Sequence, residues 1–186
     1  MRVVETALPG LVVIEPVVHR DPRGFFTETY RESVLAELGV DERWVQDNHS
    51  RSSRGVARGL HFQTDGQAKL VRCARGAILD VAVDIRRGSP TYGRYELIPL
   101  DDELLRMAYL PAGFAHGFCV LSDVADVVYR CSRYYDPTRD SAIRLDDPAL
   151  GIPWPDMDLV LSDRDRTAPL LEEVADSLPF VFAGGA

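Results

Sequence analysis

Lysine is almost missing from this sequence: of 21 basic residues 20 are arginine, and Lys69 stands alone. Cysteine is scarce too. The three present, Cys73, Cys119 and Cys131, are odd in number, lie in apolar strand-like stretches and form no Cys-x-x-Cys pair, so a disulfide framework or zinc cluster is disfavoured and buried thiols are expected. No apolar run approaches the ~18–20 residues of a membrane helix, and the start, Met1-Arg2-Val3-Val4-Glu5-Thr6, lacks the apolar stretch of a signal peptide. A cytoplasmic protein with no membrane partner is expected. Excess positive charge is absent as well: 29 acidic residues leave a formal charge of −8, which argues against nucleic acid as the main partner.

What is there suffices for one domain spanning residues 1–186, since 46% of the chain is apolar and can form a core. Short apolar or alternating segments recur every ten or so residues: Leu11–Val17, Phe25–Thr29, Trp44–Asn48, Val56–Gln63, Ala68–Ala74, Ala77–Ile85, Arg94–Leu100, Arg106–Leu110, Gly117–Leu121 and Val127–Tyr134. Turn signals such as Asp21-Pro22-Arg23-Gly24, Gly88-Ser89-Pro90 and Pro111-Ala112-Gly113 separate them. Only Arg31–Leu38, stopped by Gly39, and Ala168–Ser177, with Pro169 near its start, read as helices. The rhythm predicts an all-β, antiparallel jelly roll with a few short peripheral helices, because the Cys…Trp…Cys signature of an immunoglobulin sandwich is missing. The stretch Asp136–Asp165, rich in Asp and Pro, reads as a long ordered arm, and the tail from about residue 178 to 186 is expected to fray.

Polar heads on apolar strands are the places to look for chemistry. Lys69 alternates with Val71 and Cys73, and Tyr129 alternates with Val127 and Cys131. In Arg58-Gly59-Leu60-His61-Phe62-Gln63, alternation would put Arg58 and His61 on opposite faces, but a bulge at Gly59 would bring them to the same side. Burying an unpartnered hydroxyl costs roughly 2–7 kcal/mol and an ammonium far more, so such groups must meet partners or a ligand inside the barrel. An inward His or Tyr is often just a satisfied structural residue. An inward Lys is much rarer in that role, and here it is the only lysine in the chain.

Metal chemistry finds little support. The His-x-His pair of a metal-binding barrel is lacking, because Gln63 stands where the second histidine would be, and His19, His49, His61 and His116 are scattered singly. No phosphate-cradling glycine loop and no nucleophile elbow is present, and no cofactor is expected. Acid–base chemistry remains. A His base, a Tyr acid and a Lys beside a carbonyl oxygen suit removal and return of a proton next to a ketone, which is an epimerisation. Such a base needs an orienting carboxylate, and Asp163 or Asp165 could fold back to supply it.

Seven strings carry a resemblance: Asp21-Pro22-Arg23-Gly24-Phe25-Phe26, Gln46-Asp47-Asn48-His49-Ser50, Arg58-Gly59-Leu60-His61-Phe62-Gln63, Lys69-Leu70-Val71-Arg72-Cys73, Asp80-Val81-Ala82-Val83-Asp84-Ile85-Arg86, Pro111-Ala112-Gly113-Phe114-Ala115-His116-Gly117-Phe118 and Tyr134-Tyr135-Asp136-Pro137. In order and register, from about Ile14 to Pro169, they resemble the dTDP-4-dehydrorhamnose 3,5-epimerase family. The resemblance implies a metal-free cupin-type jelly roll, a homodimer that exchanges N-terminal strands, and a dTDP-4-keto-6-deoxyhexose substrate on a rhamnose-forming route. It implies His61 as general base, Asp165 as its orienting acid, Tyr129 as proton donor and Lys69 at the sugar oxygen. It also places Gln46, Asp47, Asn48, Arg58 and His116 around the nucleotide sugar, Tyr134 against the thymine, and Arg23, Phe26 and Glu28 in the partner subunit's site. Two positions depart from the family's pattern: Arg164 stands where Lys is usual and Asp140 where Glu is common. The alternatives are an epimerase acting at C3 or C5 alone, a non-catalytic sugar-nucleotide-binding jelly roll, and a metal-dependent cupin.

Overall fold

The structure is a computed structural model and describes residues 1–184. In chain order the elements are β1 (Arg2–Val4), β2 (Val12–Glu15), β3 (Val18–Asp21), β4 (Gly24–Thr27), α1 (Glu32–Glu37), β5 (Gln46–Ser53), β6 (Ala57–Gln63), β7 (Lys69–Arg75), β8 (Ala77–Asp84), β9 (Tyr95–Asp101), β10 (Met107–Leu110), β11 (Phe114–Val120), β12 (Val124–Cys131), β13 (Asp140–Ala142), α2 (Asp163–Arg166) and α3 (Leu171–Val174), which a 3-10 turn, Ala175–Ser177, follows. A six-stranded sheet in the order β1-β2-β10-β7-β12-β5 faces a five-stranded sheet in the order β13-β6-β11-β8-β9, and β3 and β4 form a separate hairpin. Every pairing within these sheets is antiparallel. The expected cupin-type jelly roll is the fold.

Alternation explains the layers. On the six-stranded sheet Val71, Cys73, Ala108, Leu110 and Val127 point inward, and they meet Ile78, Ile98, Leu100, Phe114, Phe118 and Val120 from the other sheet. Each fully buried aliphatic side chain here contributes about 1.5–3 kcal/mol relative to exposure. The outer face of the six-stranded sheet carries Ile14, Leu70, Met107 and Tyr109, which Leu35 of α1 covers. The outer face of the five-stranded sheet carries Leu60, Phe62, Val81, Val83 and Ala115, which the arm covers with Ile143 and Leu150 and the segment after it with Leu171 and Leu178. That packing is why the arm is ordered, although its Asp- and Pro-rich composition looks solvent-loving.

Two expectations need correction. The tail does not begin to fray at residue 178: Leu178 is buried, Arg87 N–H donates to the Phe180 carbonyl and Phe182 N–H donates to the Arg87 carbonyl. Residues 185 and 186 of that expectation lie outside the described residues. The second helix is also shorter than its pattern suggested. Ala168 packs inward, and α3 starts only after Leu170, whose N–H donates to Glu173 Oε2 at 2.6 Å.

The bulge at Gly59 is where fold becomes site. His61 pairs with His116 and Arg58 with Phe118, so Gly59 and Leu60 together oppose the single residue Gly117. His116 and Phe118 share a face of β11, and the extra residue in β6 therefore puts Arg58 and His61 on that same inward face. Gly59 has φ +134° and a Cβ added there would meet the Gly117 Cα at 2.5 Å, so only glycine fits. Gly59→Ala is expected to destabilise the fold by on the order of 3 kcal/mol in urea denaturation. A loss within experimental error would show that the two strands are not held this close.

Candidate active site

Toward one end of the sandwich the inward positions turn from apolar to polar, and a cavity of about 430 Å³ opens. Register assembles its walls. Asn48 pairs with Tyr129 and Tyr129 with Val71; one step along, Gln46 pairs with Cys131 and Cys131 with Lys69. Gln46, Asn48, Lys69, Tyr129 and Cys131 thus share one face of the six-stranded sheet. Arg58, His61, Gln63 and His116 line the cavity from the five-stranded sheet. Tyr135, Asp140 and Arg164 complete its rim.

His61 Nε2 lies 2.6 Å from Asp165 Oδ1. A carboxylate accepts only, so Nε2 carries the hydrogen and donates, leaving the Nδ1 lone pair free to take a proton. Asp165 comes from α2, where the Ser162 hydroxyl caps the helix by accepting from Asp165 N–H at 3.1 Å. Burial alone would push the Asp165 carboxyl up, but hydrogen bonds from His61, Ser162 and the Gly59 N–H, with the imidazole's charge, more than offset it and hold the group below the usual carboxylate range. The pair is a built imidazole–carboxylate couple.

Lys69 has one weak contact, Nζ donating to the His61 carbonyl at 3.4 Å. Burial pulls its ammonium below the ordinary lysine range, against the opposing charges of Cys131, Asp140 and Asp80. Burial likewise raises the Tyr129 phenol above its ordinary value, and among the described residues its hydroxyl has no hydrogen-bond partner. As pH rises, the ammonium therefore loses its proton earlier than an ordinary lysine and the phenol holds its own longer than an ordinary tyrosine. Arg58 is steadied by Ser52, whose hydroxyl accepts from both Nε and Nη2 at 3.2 Å. Arg164 pairs with Asp140 at 2.7 Å, and the Tyr135 hydroxyl donates to the same carboxylate at 3.1 Å. No group of three or more His, Cys, Asp or Glu among the described residues is placed to hold a metal ion.

Of the residues singled out in the sequence, His61, Tyr129, Asp165, Lys69, Gln46, Asn48, Arg58, His116, Asp140 and Arg164 are brought together. Five others are not. Asp47 sits on the opposite face of β5, 3.2 Å from Arg130, because alternation turns it away from Gln46 and Asn48. The Tyr134 side chain is 71% exposed outside the cavity, and its neighbour Tyr135 lines the rim instead. Arg23 and Phe26 belong to the β3–β4 hairpin and its turn, with Glu28 just beyond: Arg23 pairs with Asp21, Phe26 is 70% exposed and Glu28 pairs with Arg31. None of these three lines this chain's own cavity.

Sequence reasoning passed over Gln63, which accepts from Asp136 N–H at 2.7 Å and donates to the Tyr134 carbonyl at 3.2 Å, pinning the rim. It also passed over Asp80, which stands behind His116. The signal was there: Asp80 is an acid inside an apolar strand, Ala77-Ile78-Leu79-Asp80-Val81-Ala82-Val83.

Fold and site together define a class, a cupin-type jelly roll whose cavity holds an oriented imidazole, an ammonium and a phenol, the equipment of an epimerase. The family model described as dTDP-4-dehydrorhamnose 3,5-epimerase matches residues 5–173. The protein is 50% identical to the dTDP-4-dehydrorhamnose 3,5-epimerase of Methanothermobacter thermautotrophicus, over 92% of this chain and 95% of that one. It is 45% identical to a dTDP-4-dehydrorhamnose 3-epimerase of Streptomyces niveus, over 95% of this chain and 87% of that one. Among solved structures, the dTDP-6-deoxy-D-glucose-3,5-epimerase of Legionella pneumophila, in complex with dTDP-4-keto-L-rhamnose, superposes with a TM-score of 0.95 at 43% identity, covering 98% of this chain and 99% of that one. The chain belongs to the dTDP-4-dehydrorhamnose 3,5-epimerase family.

Proposed function

We propose that the protein inverts C3 and C5 of a dTDP-4-keto-6-deoxyhexose on the route to dTDP-L-rhamnose, with His61 as base, Tyr129 as acid and Lys69 at the ketone oxygen. The observation that carries this reading is the meeting of the His61–Asp165 couple, Lys69 and Tyr129 in one cavity. His61 Nδ1 takes the proton from the carbon beside the ketone. The C–H electron pair becomes the enolate double bond, and the charge that moves onto the C4 oxygen is met by the Lys69 ammonium. Tyr129 then delivers a proton to the opposite face of the carbon, and exchange with water restores imidazole and phenol. Because C3 and C5 both flank C4, a ring that shifts between two poses lets one base serve both centres.

The Arg58 fork suits the pyrophosphate, to which it can donate paired, charge-assisted bonds. We assign Arg23, Phe26 and Glu28 to the site of a second subunit in a homodimer, a reading supported by the exposure of the hairpin that carries Arg23 and Phe26 and by the absence of all three from the lining of their own chain's cavity. The Streptomyces relative, a 3-epimerase, favours one rival, inversion at a single centre. Incubation with dTDP-4-keto-6-deoxyglucose in deuterium oxide separates the two. Deuterium is expected at both C3 and C5 by NMR. Label at one carbon would establish the rival, and label at neither would overturn both.

A further inference from the structure

The cavity floor contains a second imidazole–carboxylate couple, and the reaction as derived does not use it. His116 Nε2 lies 2.7 Å from Asp80 Oδ1. Asp80 is wholly buried in β8 on the inward face between Ile78 and Ala82, and its Oδ2 has no hydrogen-bond partner among the described residues. Structures rarely leave half a buried carboxylate unpaired, because the desolvation cost goes uncompensated. Its neighbour is a cavity-lining side chain, so a role through that neighbour is the natural account.

We infer that Asp80 is a positioning residue which, through His116, builds an acceptor site for a hydroxyl of the substrate's sugar ring. This rests on the function proposed above. The carboxylate can only accept, so His116 carries its hydrogen on Nε2 and turns Nδ1 away from Asp80. Nδ1 has no partner among the described residues, is not among the sealed, unpartnered atoms, and belongs to a ring that lines the cavity. In this tautomer Nδ1 accepts, and it matches a group that donates. Register says which part of the substrate lies there. His116 pairs with His61, the base that must touch the sugar, whereas the phosphate-suited Arg58 pairs further along with Phe118. The hydroxyls of the sugar are therefore at the level of His116 and the pyrophosphate is not.

The test substitutes Asp80→Asn, which keeps the shape but offers an amide N–H as well as an oxygen and so releases the choice of tautomer. The KM for dTDP-4-keto-6-deoxyglucose is expected to rise about tenfold, with kcat falling by less because Asp80 supplies only part of the negative charge that faces Lys69, while the Kd for dTDP, which has no hexose, stays at the wild-type value. A purely structural role would weaken both ligands together. Equal weakening, or no change in either, overturns the inference. Failure of wild-type protein to bind dTDP at all would instead count against the nucleotide-sugar reading beneath it. Nitrogen-15 NMR of the wild-type histidines decides the point even if the variant does not fold: His116 is expected as the Nε2–H tautomer, and an Nδ1–H tautomer overturns the assignment.

Discussion

Replacing His61 by asparagine is expected to lower kcat by roughly 10³-fold and to abolish deuterium incorporation at C3 and C5 together, while dTDP still binds. Both centres fall at once because one base is proposed to serve both: His61 is held by Asp165 with its other nitrogen free, whereas the second couple, His116–Asp80, is assigned to a ring hydroxyl and not to a carbon proton. Tyr129→Phe is expected to differ in kind. The variant can still form the enolate and exchange a proton on the base side, so deuterium enters with retention and inversion slows. The measurement is the ratio of exchange to inversion by NMR, high in the Tyr129 variant and undefined in the His61 variant because neither process occurs. Exchange at the wild-type rate in His61→Asn would remove the imidazole from its role.

The second large effect belongs to Lys69. Lys69→Met keeps most of the side chain's volume but leaves the developing enolate oxygen without its cation, and kcat is expected to fall by roughly 10²–10³-fold. Lys69→Arg should recover only part of this, since a planar fork cannot place one compact charge where the ammonium stood. The pH dependence gives an independent reading. Burial lowers the Lys69 ammonium and raises the Tyr129 phenol, so Lys69 is expected to contribute to the alkaline fall in kcat/KM below the ordinary lysine range. In Lys69→Arg that fall should move upward, because guanidinium keeps its proton. An unmoved alkaline limb would show that another group sets it.

The strands carrying Lys69 and Tyr129 were legible because each has an apolar inward row broken by one polar head. Strand β5 was harder, and its expected span stopped at Asn48. Its sequence, Gln46-Asp47-Asn48-His49-Ser50-Arg51-Ser52-Ser53, is polar on both faces because its inward row lines a cavity as well as core, so the usual hydrophobic signal is gone. For β11, expected to begin at Gly117, the stretch Phe114-Ala115-His116 looked weak, although its inward His116 is satisfied by Asp80. Strands β1 and β13 are only three residues long, too short for alternation to register, and β3, Val18-His19-Arg20-Asp21, has no apolar row to show. Asp165 was legible as a candidate but its contact was not. The four-residue helix that aims it leaves only a Ser162-x-x-Asp165 capping signal, and what it reaches is 104 residues away in the chain. The outward turn of Asp47 follows from the parity of β5 and could have been read from alternation with Gln46 and Asn48.

The arm does more than cover a sheet. Every strand of both large sheets precedes Asp165 in the chain, so as the polypeptide emerges from the ribosome the sandwich can close before the acid that steers the base has been made. On the proposed function, competence for proton transfer then comes later than the closing of the sandwich, and a half-made copy already shaped to hold a reactive keto-sugar would have no tuned base with which to deprotonate it.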